Sequence, residues 1–395
     1  MMKIVEVRDR ATEGKFLQHP FSIYSNDANW IAPLKQDLEK IFNPNKNKHF
    51  EHGECIRWIL IDDNIVGDNT NSGIIGRIAA FINYDTAKNE EQPTGGCGFF
   101  ECSNNQEAAN LLFDTAKNWL QQKGMQAMDG PINFGERNAW WGLLVEGFTP
   151  ATYQMNYNPP YYRQLFEAYG FKDYFQQYSY RIDLREKRPE RYQPVFERMR
   201  RTGDYTFRHI EKNNLKNYAA DFRSVYNRTW KFLPNFHEMS EEQSLQMMNS
   251  MKPVLLDYLC WFGYYKDEPV AIFIMLPELN GWFKHVNGNL NIVGLLKFLW
   301  YKTFDKTNRK IFGIIFGVVP EHQKKGVEAA IVMAADEVVI PKNRWDEIEL
   351  VWIGDFNSRM IKTCETLGAK LFKRHITYRK LFDETKPFRR HPVIE

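Results

Sequence analysis

The sequence predicts a mixed α/β fold made of two similar units in tandem within one chain of 395 residues. Apolar runs typical of strands alternate with patterns at helical spacing along the chain. A second observation is a repeat, because Asn158 and Asn357 each precede a short helical segment that ends at a glycine and leads into a strand. The two asparagines lie 357 − 158 = 199 positions apart, about half the chain. Duplication of one α/β unit explains this spacing.

The first half opens with strand patterns joined by polar, glycine-bearing segments. Strands are predicted over residues 4–8, 55–61, 73–82 and 98–102. Ser103 stands three residues before Gln106, which is the spacing of a capping box and predicts a helix that runs to Gly124. Strand 175–182 then closes the unit and is expected at an edge of the sheet.

Residues 129–160 are rich in Pro, Gly, Asn and aromatic residues and show no clear periodicity. So long an irregular segment is often functional. An ordered excursion packed by its own aromatic rings explains it equally well. As candidates for an acceptor pocket we take Glu136, Arg137 and Trp140, with Arg137 suited to a carboxylate or phosphate. A structural pairing around Glu136 and Arg137 is the alternative.

The second half repeats the order of elements. Strands are predicted over residues 205–210, 258–265, 270–276, 311–319, 347–353 and 371–381, the last of them again at an edge. Helices are expected over 218–230, 241–251, 294–305 and 360–367. We therefore divide the chain into a first unit, 1–184, a charge-rich linker, 185–204, and a second unit, 205–395.

Composition excludes several classes of function. The chain has 52 Lys and Arg against 49 Asp and Glu, a net charge of +3, so a general nucleic-acid coat is not indicated and no DNA partner is expected. Its five cysteines form no Cys-x-x-Cys pair, and metal-ligand spacing is absent, so no metal is expected. The N-terminus lacks a signal-peptide pattern, and no apolar run is long enough for a membrane span. These features predict a soluble, cytoplasmic protein.

The stretch from Val319 to Ile331 carries the strongest functional signal. An apolar run, 311–319, stops at Pro320, and a short basic turn with Gly326 leads into a helix. Such a turn directs several backbone N–H groups, together with the positive end of the helix dipole, into one small space. The turn is therefore suited to a pyrophosphate, with Lys324 and Lys325 adding positive charge.

This turn and the element order resemble the GNAT acyl-CoA N-acyltransferase fold, in which a Gln-x-x-Gly turn binds the cofactor pyrophosphate. Two units in one chain resemble the tandem arrangement of the Fem peptidyltransferases and the N-myristoyltransferases. The resemblance implies that acyl-CoA, acetyl-CoA or longer, is the co-substrate. It assigns the pyrophosphate to one run of matching residues, which are Gln323, Lys324, Lys325, Gly326 and Val327.

The resemblance also implies how transfer to an amine would proceed. A backbone N–H of Val318 or Val319 would polarise the thioester carbonyl. Glu349 and Glu321 are candidates to take the amine proton, although a solvated surface role explains either one. Asn357 either contacts the cofactor or caps its helix. The acceptor would be the amine of a small molecule or a peptide.

Three positions depart from the family pattern. Glu328 replaces the last small residue of the turn, and Cys364 stands where the family often has a tyrosine. The first half has no glycine at its equivalent turn, so we expect a degenerate unit that binds the acceptor or is structural. Two alternatives to an N-acyltransferase remain: a catalytically inactive binding module, or a Fem-like aminoacyl transferase. The modest net charge argues against binding of tRNA.

Overall fold

The computed structural model describes residues 1–65, 73–88, 90–232 and 236–393. The predicted hairpin loop before Gly73 lies largely outside the described residues. Within them, one 13-stranded mixed sheet runs through both halves of the chain. Helices that were expected from apolar periodicity cover its faces.

The first half contributes seven strands and five helices among the described residues. Its strands are β1 (Met2–Glu6), β2 (Gly53–Asp62), β3 (Ile74–Asn83), β4 (Thr94–Cys102), β5 (Ala127–Gly130), β6 (Leu143–Glu146) and β7 (Lys172–Asp183). Its helices are α1 (Arg10–Ile23), α2 (Lys35–Ile41), α3 (Tyr84–Ala87), α4 (Gln106–Gln122) and α5 (Tyr162–Tyr169).

The second half repeats this alternation. Its strands are β8 (Tyr205–His209), β9 (Cys260–Tyr265), β10 (Glu268–Pro277), β11 (Lys310–Val318), β12 (Glu347–Gly354) and β13 (Lys370–Leu381). Its helices are α6 (Tyr192–Thr202), α7 (Leu215–Trp230), α8 (Glu241–Met251), α9 (Asn280–Phe283), α10 (Ile292–Phe304), α11 (Val327–Val339) and α12 (Ser358–Thr366). Helix α6 lies within the predicted linker and packs against α11.

The two halves exchange their last strands. The sheet order is β1-β2-β3-β4-β5-β13-β7-β12-β11-β10-β9-β8, with β6 also paired to β13. Strand β13 of the second half therefore pairs with β5 of the first, and β7 of the first half pairs with β12 of the second. The expectation that the closing strands lie at sheet edges is wrong, because β7 and β13 are central and form the junction of the halves.

The helix ends show which local signals are decisive. The predicted capping box at Ser103 is wrong, because the N-cap of α4 is Asn105, whose Oδ1 accepts a hydrogen bond from Ala108 N at 3.1 Å. Glycine ends α5 as expected, with Gly170 at φ 95°. Asn158 does not cap α5; its side chain instead bonds the backbone of Leu144.

Candidate active site

Each half contains a point where two parallel strands diverge. Strands β4 and β5 pair only from Thr94 to Gly96, and strands β11 and β12 pair only from Lys310 to Gly313. We call these points the first fork and the second fork. A register irregularity accompanies both, with Phe99 at φ 50° in β4 and the exposed Ile314 in β11. A bulge of this kind bends a strand away from its partner, so two local irregularities open the sheet at equivalent places.

The backbone N–H groups of Val318 and Val319 point in opposite directions at the end of β11. The N–H of Val319 donates to Val270 O at 2.9 Å, so Val319 is bonded to β10. Because hydrogen-bonding direction alternates along an antiparallel strand, Val318 directs its N–H away from β10 and towards the fork. Of the two predicted thioester donors, Val318 therefore has the suitable direction.

The predicted pyrophosphate turn follows the end of β11 and contains two residues with positive φ angles. Gln323 Nε2 donates to Val318 O at 2.8 Å, which folds its side chain back onto the end of β11. Lys324 and Gly326 have φ angles of 60° and 93°, and the side chains of Lys324 and Lys325 are exposed. Val327 is buried in the first turn of α11. The turn thus ends at a helix N-terminus with two cationic side chains beside it.

Gly326 is required at its position for two reasons. Its φ of 93° lies in the left-handed region, which side chains disfavour. A Cβ atom there would also lie 2.5 Å from Cγ1 of Val195 in α6. The glycine is therefore needed for the path of the chain and for the packing of α6, whether or not an anion binds.

Glu328 places an acidic side chain in the first turn of α11. Burial raises the pKa of its carboxyl above the ordinary value, and hydrogen bonds from the backbone N–H groups of Glu328 and Lys324 oppose that rise. A carboxylate at this position repels an anion bound at the same helix N-terminus.

The two predicted proton acceptors lie in different surroundings. Glu349 is buried and forms an ion pair with Lys373, 2.9 Å from Oε1 to Nζ, with both side chains 3% exposed. Lys373 Nζ also donates to Pro150 O at 2.9 Å. Glu321 is exposed beside the turn, 3.5 Å from Arg228. Asn357 caps α12, since its Oδ1 accepts from Met360 N at 3.0 Å.

A cavity of about 350 Å³ lies at the first fork, within the range of small-molecule sites. Helix α1, strand β4, the segment 131–158 with its short strand β6, and the loop before α10 form its walls. Most of its lining side chains are apolar or aromatic, among them Leu17, Phe21, Trp30, Leu38, Phe99 and Leu143. Part of the segment that was predicted to be irregular therefore lines the cavity.

A buried polar cluster forms part of this wall. Tyr24 and Tyr162 each donate a hydrogen bond to Glu101 Oε2 at 2.8 Å, and Arg77 lies 3.3 Å from Oε1. Burial raises the pKa of Glu101, while the charge of Arg77 and the tyrosine hydroxyls oppose this shift. Glu101 is the one acidic residue among the described residues that line the cavity, and both of its carboxyl oxygens have partners within the cluster.

Nearby, His19 is buried and uncharged. Burial lowers its pKa to about 3, with the charge of Arg77 as a second cause. Neither ring nitrogen has a hydrogen-bond partner among the described residues.

The cavity approaches the second half through one short segment. Ala151, Met155 and Asn156 line the cavity. The same three residues also line a crevice that is too narrow for water, and Glu349 and Lys373 form another part of the wall of that crevice. Glu278 supports the same segment, because its Oε1 accepts a hydrogen bond from Tyr153 N at 2.9 Å. Burial raises the pKa of Glu278 to about 7.

The three acceptor-pocket candidates separate in the structure. Trp140 is buried and lines the cavity. Glu136 is exposed and lies 3.5 Å from His49. Arg137 is also exposed, and its guanidinium lies 5.6 Å from the Phe175 ring centroid. Neither charged side chain belongs to the cavity wall.

Sequence analysis missed Arg77, Glu101, Tyr24, Tyr162 and Glu278. One signal was present, since Arg77 and Glu101 are charged residues inside apolar strand patterns, where charges are rarely buried unless paired. Nothing in the local sequence marks the tyrosines. Within the described ranges, no group of three His, Cys, Asp or Glu side chains is placed to hold a metal ion.

Two proteins are similar over nearly the whole chain. One is Protein YghO of Escherichia coli (strain K12), 25% identical over 382 residues that cover 92% of each chain. The other is the bacterial ceramide synthase of Caulobacter vibrioides, 24% identical over 391 residues that cover 96% of this chain and 97% of the relative. No protein-family model matches the chain.

Solved structures agree with the fold. A tandem GNAT protein from the clavulanic acid biosynthesis pathway superimposes with a TM-score of 0.53 at 10% identity, covering 98% of this chain and all of that one. A GCN5-related glucosamine N-acetyltransferase region in a fungal multi-domain β-N-acetylglucosaminidase gives a TM-score of 0.54 at 12% identity. It covers 96% of this chain, which spans 38% of that longer one. The chain therefore has a tandem GNAT fold. The order of strands and helices along the sequence and the turn at Gly326 predicted this fold.

Proposed function

We propose that this protein is an acyl-CoA-dependent N-acyltransferase whose acceptor is a long-chain amino alcohol, the chemistry that forms a ceramide. The observation that carries the proposal is the cavity at the first fork, where apolar walls adjoin the buried carboxylate of Glu101. An amphiphilic amine has the matching parts: a hydrocarbon chain for the walls and an ammonium or hydroxyl group for the carboxylate. The similarity to a protein named bacterial ceramide synthase supports this choice of acceptor.

In this proposal the donor binds in the second half. Backbone N–H groups of the turn from Gln323 to Val327, with Lys324 and Lys325, hold the pyrophosphate of acyl-CoA. The Val318 N–H, directed towards the second fork, polarises the thioester carbonyl. Because GNAT-fold N-acetyltransferases are structural neighbours, a CoA thioester is the donor class that this fold favours.

The transfer step then needs one proton acceptor. The amine nitrogen attacks the thioester carbonyl carbon, a C–N bond forms, the C–S bond breaks, and CoA leaves as a thiolate that takes up a proton. The amine loses a proton to a carboxylate. Glu101 in the cavity wall and Glu349 behind the segment 151–156 are the two candidates.

The acidic side chain of Glu328 in the first turn of α11 favours a second candidate function. If its carboxylate keeps the turn closed to phosphate, the protein binds an amphiphile in the cavity without transferring an acyl group. Calorimetry with CoA and with a long-chain amine separates the two functions. Binding of the amine alone supports the binding module, whereas binding of both supports the transferase.

An acceptor panel tests the proposed substrate class. With palmitoyl-CoA as donor, sphinganine should be acylated in preference to a short amino alcohol or a peptide amine, because only sphinganine has a chain for the apolar walls. Glu101→Gln should reduce the rate, while Glu107→Gln, an exposed change in the first turn of α4, should leave it unchanged. Equal rates with short and long amines would refute a lipid acceptor.

A further inference from the structure

Helix α10 presents an apolar face to solvent. Its sequence from Ile292 to Phe304 contains nine aliphatic or aromatic residues, counted as Ile, Val, three Leu, two Phe, Trp and Tyr. Among the larger apolar side chains only Phe298 is buried, against α9. The exposed apolar side chains, with their exposed fractions, are Ile292 (80%), Val293 (61%), Leu295 (45%), Leu296 (62%), Leu299 (45%), Trp300 (62%) and Phe304 (61%). A helix that is apolar on nearly all sides is normally buried, so this face is suited to a partner.

The charged side chains within and before α10 are lysines, and Asp305 follows at the C-cap of the helix. From Leu279 to Phe304 the chain has no Asp or Glu, and it contains Lys284, Lys297 and Lys302. Lys284 and Lys297 are exposed, while Lys302 Nζ donates a hydrogen bond to Pro253 O. Lysines beside exposed Trp, Phe and Leu side chains are typical of helices that lie in the headgroup region of a membrane.

The length of α10 determines how it would meet a bilayer. Thirteen helical residues extend about 20 Å at the usual rise per residue, against about 30 Å for the hydrocarbon core. Among the residues that the structure describes, no helix is long and apolar enough to cross a membrane. Helix α10 can therefore enter the interface parallel to the surface, but it cannot span the bilayer.

The helix also adjoins the cavity at the first fork. The loop Asn287–Asn289, which leads into α10, lines the cavity, and Gly288 O accepts a hydrogen bond from Lys35 N at 2.8 Å. Leu34 and Tyr153 belong both to the cavity wall and to the apolar cluster that holds Phe298. A membrane contacted by α10 would therefore lie beside the wall of the cavity.

We propose that α10 is a peripheral membrane-docking helix that binds the surface of an anionic bilayer through its apolar face and flanking lysines. The lysines approach the lipid phosphates, and Leu296, Trp300 and Phe304 enter the boundary between headgroups and acyl chains. This proposal stands apart from the proposed acyl transfer, because docking requires neither a donor nor turnover.

Vesicle co-sedimentation of the full chain tests the proposal. The protein should sediment with vesicles of mixed phosphatidylglycerol and phosphatidylcholine, less with pure phosphatidylcholine, and less at high salt. Combining Leu296→Glu with Trp300→Glu, one turn apart on the exposed face, should reduce partitioning at least ~tenfold, about 1.4 kcal/mol. The matched control combines Phe232→Glu with Ile340→Glu, two exposed apolar residues outside α10, and should bind like the unchanged protein.

Three outcomes would overturn the proposal. The unchanged protein remains in the supernatant with both vesicle types, or the α10 variant binds as well as the control. Alternatively, light scattering shows a dimer that the α10 variant converts to a monomer, which assigns this face to a second copy of the chain. Circular dichroism and thermal unfolding of both variants establish that binding is compared between folded proteins.

Discussion

The Gln177 side chain donates a hydrogen bond to the Thr377 hydroxyl at 2.9 Å, although the two residues lie 200 positions apart. Both residues are buried, and they lie on β7 and β13, the exchanged strands at the centre of the sheet. Each half of the chain therefore completes its sheet with a strand from the other half. The tandem units are joined by backbone pairing as well as by a connecting segment.

This exchange predicts that the first unit does not fold alone. A fragment of residues 1–184 lacks β13, so β5 and β7 would expose unpaired backbone groups in what is now the middle of a sheet. We expect the fragment to be insoluble or to lack cooperative unfolding by circular dichroism. Co-expression with residues 185–395 should restore a soluble complex. A cooperatively folded, monomeric 1–184 fragment would contradict this role of the exchange.

Removal of the Glu328 carboxyl group at the start of α11 should raise the affinity for CoA. Glu328→Ala removes a partly buried carboxyl group from the first turn of α11, beside the proposed pyrophosphate site. Calorimetry should then show CoA binding ~tenfold more tightly, about 1.4 kcal/mol, whereas replacement of Lys324 and Lys325 by alanine should weaken it. Glu337→Ala, at the far end of the same helix, is the control. If CoA affinity were unchanged both in Glu328→Ala and in the variant with alanine at 324 and 325, the pyrophosphate would bind elsewhere.

Substitution of Gly326 is a less selective test of that turn. Any side chain there meets the left-handed φ of 93° and the close approach of Val195. A loss of CoA binding in such a variant would combine a local effect with a general loss of stability. A loss of CoA binding in Gly326→Asp is therefore informative only if the unfolding of that variant is measured as well.

The Glu349–Lys373 ion pair should behave as a buried pair. Removal of one partner leaves an unpaired buried charge, which typically costs about 3–5 kcal/mol. Glu349→Met alone should lower the free energy of unfolding by this order, and adding Lys373→Met should recover part of the loss. Lys370→Met on the same strand removes an exposed ion pair with Glu186 and should cost less than about 1 kcal/mol. Denaturant unfolding of these proteins and of Lys373→Met alone measures these differences, and additive losses in the double variant would contradict a coupled pair.

Glu278 predicts a dependence of stability on pH. Burial raises its pKa from 4.5 to about 7, so between these values the folded protein binds more protons than the unfolded chain. The contribution to stability is complete below the unfolded pKa and is lost as the pH rises through about 7, with an upper size of about 3 kcal/mol. Glu278→Gln should make the free energy of unfolding fall less between pH 5 and pH 8, as measured by urea unfolding. An equal fall in both proteins would show that Glu278 does not titrate in this range.

Local sequence signals predicted most strands and helices of the fold, although not β5 or β6, and they did not predict the order of the strands in the sheet. The turn at Gly326, the cap at Asn357 and the glycine that ends α5 depend on contacts between near neighbours, and each has the expected backbone form. The central position of β7 and β13 depends on pairing across 200 residues, for which a strand pattern contains no information. The two equivalent asparagines also differ in role. Asn357 caps α12, whereas Asn158 accepts a hydrogen bond from the backbone of Leu144 in β6.

The cavity could not be predicted for the same reason. Glu101 meets Tyr24 across 77 positions and Tyr162 across 61, so the polar cluster exists only once the chain is folded. The exposure of α10 could not be predicted either, because its largely apolar sequence is typical of a buried helix. The cavity and the exposed face of α10 both depend on burial and on contacts between residues far apart in the sequence.

Transfer of an acyl group from a CoA thioester to a long-chain amine can be measured directly. The purified full chain is incubated with palmitoyl-CoA and sphinganine, and free CoA thiol and N-acyl amide are quantified in the same samples. We expect both products in equal amounts, and we expect omission of the amine to abolish thiol release. Thiol release without amide, or no turnover by a protein that binds both substrates, would contradict the proposed transfer.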